Sequence, residues 1–262
     1  MQENCQNPSI LSPIVVISQA FRRMKIALIG YGKMGLEIEK IALQRGHVMT
    51  ARATADSPLT VEQAALSDVA IEFTGPDSAA GNIRFCFANE LPVVVGSTGW
   101  YAELNQLKSG CEKSKGAMLY ASNFSIGVNM FFALNKVLAS LMSKTTGYSA
   151  SMQEIHHTQK KDSPSGTAVT LAEQIIQHFP MYKSWVNVKK SEDIQHDILP
   201  IESLRLPDVP GTHSIVYGSE IDEIEIKHTA HNRSGFALGS VIAAEWLNGK
   251  RGVYTFDEVL KF

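Results

Sequence analysis

Three cysteines in 262 residues, Cys5, Cys86 and Cys111, are too few for a disulfide framework, and none makes a Cys-x-x-Cys pair. Reduced thiols and a cytoplasmic location are the expectation. The formal net charge is only −2, so no basic excess exists to neutralise a phosphate backbone, and nucleic acid is not an expected partner. Long apolar runs are missing too. Ile10–Ile17 is too short to span a bilayer, and Arg22 and Arg23 follow it, whereas an export signal carries its charges first. No membrane partner is expected. Residues 1–23 read as a disordered extension, or as sequence ahead of a functional start at Met24. What remains is an ordinary globular composition, 44% hydrophobic and 19% charged, in a chain long enough for two domains.

From Met24 onward, short β-type runs alternate with helical ones, the pattern of a parallel sheet covered by helices. Strands are predicted at Lys25–Ile29, Val48–Thr54, Val69–Phe73, Val93–Val95 and Met118–Ala121. Met34, Ile38, Ile41 and Ala42 recur at helical spacing, and Gly46 stops that helix. Further helices are predicted near Ala79–Glu90 and Ala102–Lys115. After Asn123 the rhythm changes: a long helix over Val128–Ser143, a strand over Tyr148–Ile155 and a helix over Thr167–His178. Strands then follow without intervening helices at Ile198–Leu206, His213–Tyr217 and Glu223–His228, which predicts a mixed or antiparallel sheet. Lys183–His196 reads as a surface loop, and a last helix covers Gly239–Leu247. The fold class is therefore α/β: a Rossmann-type doubly wound parallel sheet, with a second α+β domain for substrate and oligomerisation. The expected boundaries are 24–123 plus 238–262 for the first and 124–237 for the second.

Gly30-Tyr31-Gly32-Lys33-Met34-Gly35 stands where the first strand meets the first helix, the context in which Gly-x-Gly-x-x-Gly indicates a dinucleotide. The glycines allow a tight turn and close approach of backbone amides to a pyrophosphate at a helix N-terminus. The end of the second strand ordinarily carries an acidic residue for the adenosine ribose, and Thr54 stands there instead. NADH and NADPH therefore both stay open as cofactors, with Arg52 nearby. Later strand ends offer further cofactor contacts: Phe73 and Thr74, then Gly96, Ser97 and Thr98, then Ala121, Ser122, Asn123 and Phe124.

Glu154 to Thr167 gathers two histidines, two lysines, two carboxylates and a Ser-Pro-Ser-Gly-Thr turn into a helix. A reductase acting on an acidic substrate needs a proton donor, cations and fixed backbone donors, and this segment has all three. Ser165, Gly166 and Thr167 at a helix N-terminus would seat a carboxylate, although Ser165 would serve equally as a helix cap. His156 and His157 point to opposite faces of a strand and lack further ligand spacing, so no metal is expected.

The glycine loop, Gly96–Gly99, Ser122–Asn129, His156–Thr167 and His228–Ala237 together resemble the 4-hydroxy-tetrahydrodipicolinate reductase (dihydrodipicolinate reductase) family, in order from about Met24 to the C-terminus. The extension and Thr54 depart from its common form. The resemblance implies reduction of a small dicarboxylate at carbon 4 by NADH or NADPH, in lysine and diaminopimelate biosynthesis. It implies His156 and Lys160 as catalytic proton donors, His157 with the Gly166-Thr167 backbone as the carboxylate grip, and a homotetramer built through the second sheet. The rivals are a dehydrogenase of another amino-acid-derived substrate and a non-catalytic dinucleotide sensor. Nucleotide binding alone needs none of His156, Lys160 or Gly166-Thr167, which argues against the sensor.

Overall fold

The computed structural model describes residues 22–188 and 194–260. Nearly all of the expected extension, and 189–193 of the expected surface loop, lie outside the described residues. The chain runs β1 (Lys25–Ile29), α1 (Lys33–Gln44), β2 (Val48–Ala53), α2 (Val61–Ala65), β3 (Val69–Glu72), α3 (Pro76–Ala88), β4 (Val93–Val95), α4 (Leu104–Ser114) and β5 (Ala117–Tyr120). It continues through α5 (Ile126–Met142), β6 (Ser149–His156), α6 (Gly166–His178), β7 (Ser184–Val188), β8 (Ile198–Arg205), β9 (Gly211–Gly218) and β10 (Glu223–Ala230). It ends with α7 (Ser234–Leu247), β11 (Gly252–Thr255) and α8 (Phe256–Leu260).

The first sheet has the order β11-β5-β4-β3-β1-β2, every pair parallel. Its central strands are buried throughout because helices cover both faces, hence their unbroken apolar runs. Ile38 and Ala42 of α1 share one core with Val241, Ala244 and Leu247 of α7; Ile83 of α3 and Leu107 of α4 lie in the core on the other face. The strand order reverses beside β1, and the loop ends of such a sheet are where a ligand crevice forms. All the cofactor segments named from sequence follow carboxyl ends of these strands.

The second sheet has the order β10-β9-β6-β8-β7 and is mixed: β6 and β10 are antiparallel to β9, while β6/β8 and β7/β8 are parallel. Its core packs Phe131 and Phe132 of α5 and Leu171 and Ile175 of α6 against Met152, Ile201 and Ile215.

Three expectations are corrected. The surface loop begins as a strand, because Ser184–Val188 pairs along β8; as a sheet edge it is held by backbone bonds on one side and shows little apolar alternation. The last helix starts at Ser234, inside the expected second domain, and Ala237 is buried in the first sheet's core. Strand β11 was not expected; four half-buried residues carry too weak a pattern to read. Helix α2 also lacked an expectation, although its Thr60–Gln63 capping box is a sequence-level signal.

Candidate active site

The glycine loop is built as its pattern requires. Gly30 has φ +98°, and a Cβ there would lie 2.2 Å from the Phe73 carbonyl oxygen, so only glycine lets the two strand ends meet. A Cβ at Gly32 would meet nothing within 4 Å, and the N-terminus of α1 has no side-chain cap. Unpaired amides thus open onto free space, an arrangement that fits a nucleotide pyrophosphate. Tyr31 donates to Glu39, which also pairs with Arg52. The Arg52 guanidinium holds the Glu39 carboxyl below its usual range. Thr54 lies in the turn after β2, its backbone amide bonded to the Ser57 carbonyl.

Beneath the Phe73-Thr74 turn lies Glu72, fully buried. Its Oε1 accepts from the Thr74 amide at 3.0 Å and from the Thr74 hydroxyl, which fixes the turn at the crevice. Sequence reading passed over this residue; a lone glutamate ending Val69–Glu72 was the available signal. Phe124 is 2% exposed, with its ring against Phe73 and Phe256. It can therefore offer a ligand its main chain but not its ring. Ser97 is likewise buried.

A cleft of about 940 Å³ gathers residues from both halves of the prediction: Met34, Phe73, Gly96, Thr98, Ser122 and Asn123 from the crevice, and His156, His157, Lys160, Gly166 and Thr167 from the polar segment. Asn123 joins the two by donating to Thr167 Oγ1 at 3.3 Å. Lys33 lies in an adjoining hollow, and Ala121 in another. Arg233 lines both the cleft and the hollow beside Lys33. Lys160 Nζ is 2.9 Å from Asp162 Oδ1. Burial pushes the Asp162 carboxyl up, and Lys160 more than offsets this, leaving it below its usual range.

Alternation along β6 turns Ala150, Met152, Glu154 and His156 inward together. Glu154 is fully buried. Its Oε1 accepts from Arg205 Nη2 at 3.0 Å and from the Ser165 amide at 3.1 Å, while Oε2 lies 3.1 Å from His156 Nδ1. Burial raises its pKa, but the polar groups around it, the His156 ring, the Ser165 amide, Arg205 and Ser203, outweigh that and hold the carboxyl far below the usual range. His213 of β9 stands edge-on to His156 with centroids 5.1 Å apart, its Nε2 3.1 Å from Ser165 Oγ. Burial, then the neighbouring His156, push its pKa down to about 3, so it is neutral.

Ser165 caps α6: its hydroxyl accepts from the Ala168 amide at 3.2 Å. The amides of Gly166 and Thr167, as the first two of the helix, have no intrahelical acceptor and border the cleft. Glu154, His156 and His213 bring ligand-type atoms within 4.8 Å of one another. Arg205, the Ser165 amide and the Ser165 hydroxyl already engage Glu154 and His213, so the trio is a hydrogen-bonded charge network instead of an open cation cage. Glu154, Arg205 and His213 carried no role in the sequence reading. They come from three strands, and only the sheet register makes them neighbours.

Two family models match the chain in succession: dihydrodipicolinate reductase, N-terminus, over residues 24–124, and dihydrodipicolinate reductase, C-terminus, over 127–260. The 4-hydroxy-tetrahydrodipicolinate reductase of Christiangramia forsetii is 46% identical over 241 residues, covering 90% of this chain and 98% of its own length. That of Aquifex aeolicus is 34% identical over 268 residues, covering 95% and 99%. Among solved structures, a dipicolinate-bound dihydrodipicolinate reductase from Paenisporosarcina sp. TG-14 superposes with a TM-score of 0.71 over 90% of this chain and 99% of that one. Its sequence is 24% identical, so this likeness concerns the fold.

Proposed function

The chain belongs to the dihydrodipicolinate reductase family, and we propose that it reduces 4-hydroxy-tetrahydrodipicolinate to tetrahydrodipicolinate with loss of water, using NADH or NADPH, in lysine and diaminopimelate biosynthesis. The observation that carries this reading is one cleft lined by His156, Lys160 and the N-terminus of α6 together with Phe73 and Gly96 of the crevice. When bound, the nicotinamide supplies a hydride. The chain's own residues do the rest. His157 and the free amides of Gly166 and Thr167 hold the substrate's carboxylates. The electron-rich product of reduction takes up one proton, which the acids His156 and Lys160 supply between them, and Asp162 orients Lys160. Ser165, which caps α6 and lines the cleft, belongs to the same carboxylate seat.

The nucleotide-binding unit comprises residues 24–123 with the chain from α7 onward, and the intervening segment forms the substrate unit. The enzyme works in the cytoplasm as a homotetramer joined through the helix-free face of the second sheet. The test is oxidation of NADH and of NADPH with substrate made in situ from pyruvate and aspartate semialdehyde by the preceding synthase. Turnover with at least one coenzyme is expected; none with either, in folded protein, sinks the proposal.

A further inference from the structure

We propose that Glu154 is a positioning residue for proton transfer: its buried carboxylate fixes the His156 ring with Nδ1 inward and stabilises the imidazolium, so that Nε2 exchanges the proton at the cleft. The inference rests on His156 being the proton donor described above, and it adds a second residue through which that donor works.

A fully buried carboxylate is costly, and evolution of a stable core alone would favour an apolar residue at an inward-facing strand position. Glu154 is held there by only half of its capacity. Arg205 and the Ser165 amide both engage Oε1. Arg205 does not grip the carboxylate in the two-point fashion open to a guanidinium; its other hydrogen bonds go to the carbonyls of Leu204 and Asp162. The second oxygen, Oε2, is buried with no linear hydrogen bond. It faces the imidazole at 3.1 Å, at ion-pair distance but off the ring's N–H axis. A carboxylate so placed acts on the ring by charge, which needs no linear alignment.

The other groups around His156 leave that charge decisive. Lys160 and Arg205 are cationic, Glu154 and Asp162 anionic, and His213 from β9 is neutral with His228 of β10 beyond it. Without Glu154 these neighbours number two cations and one anion; its carboxylate brings them to balance and is the one in direct contact with the ring. The opposite ring nitrogen has a separate provision. A Cβ at Gly211 would lie 3.1 Å from His156 Nε2, and both residues line the cleft, so glycine leaves that nitrogen open.

The experiment is Glu154→Gln in the full chain, with kcat followed from pH 5 to 9. We expect kcat to fall about tenfold or more and the alkaline limb of its profile to move down by about one pH unit. NADH affinity and inhibition by dipicolinate should stay within about threefold, because Glu154 touches neither ligand seat directly. Wild-type kcat with an unmoved profile overturns the proposal when His156→Ala is inactive; an active His156→Ala overturns the reading beneath it instead. Should the glutamine variant fail to fold, imidazole ¹⁵N spectra of the wild-type protein decide the matter. The neutral His156 ring should carry its proton on Nδ1, and a proton on Nε2 overturns the proposal.

Discussion

His156 and Lys160 approach the same cleft from different supports, one from the end of β6 and the other from the loop that follows it. Replacing either with alanine should lower kcat about 100-fold or more while leaving coenzyme affinity nearly unchanged. Stopped-flow turnover paired with NADH fluorescence titration separates the two effects; collapse of NADH binding would place the segment in the wrong half of the site. Gly30 poses the opposite case. A methyl group at φ +98° would also press on the Phe73 carbonyl, and backbone there cannot yield as a side-chain tip can. Gly30→Ala should therefore raise the coenzyme KM about tenfold or more, with little change in dipicolinate binding to the folded variant.

At the scale of elements, two helices are each anchored by one polar side chain. Ser165 caps α6 and also holds His213, so Ser165→Ala should cost about 1 kcal/mol in urea unfolding and weaken carboxylate binding as the helix end frays. Helix α7 is tied to the α1–β2 connection by Glu245, whose oxygens accept from Arg45 Nε at 2.7 Å and Nη2 at 2.8 Å. Burial raises the Glu245 pKa, and hydrogen bonds from His47 and Arg45 outweigh it, leaving the carboxyl below its ordinary value of 4.5. A depressed acid pKa stabilises the fold above about pH 4.5 and loses that contribution as pH falls through the folded-state value. Glu245→Gln should lower stability at pH 7 by about 3 kcal/mol and flatten its acid dependence. Equal wild-type and variant curves between pH 3 and 6 would refute this.

For the whole molecule, the proposed function divides between the two sheets. The first would offer strand ends and helix N-termini to a nucleotide, and the second carries the segment proposed for acid–base work, with α5 and α6 on one face. Its other face presents Ser151, Gln153, Val216 and Glu225, a mixed surface suited to meeting copies of itself. Val216→Arg should shift sedimentation from tetramer to smaller species; a wild-type monomer would end the tetramer proposal. Among the described residues, no helix is long and apolar enough to cross a membrane.

How much of this could be read from the chain depends on the range of the signal. Apolar periodicity and glycine placement made strands β1 to β5 of the first sheet and the glycine loop legible, because each depends on residues within one or two turns of chain. The density of Glu154–Thr167 and its resemblance to a family named His156, Lys160 and the α6 N-terminus for the same reason. Strands β7 and β11 stayed hidden because an edge strand is defined by its neighbour's backbone and needs no apolar pattern of its own. Only the tertiary structure brought Arg205 and His213 to Glu154, since strand register places them across 51 and 59 positions of chain. The sequence thus determined which groups could do chemistry. The fold decided which of them are buried beside one another, and burial beside a charge is what gives a histidine its role.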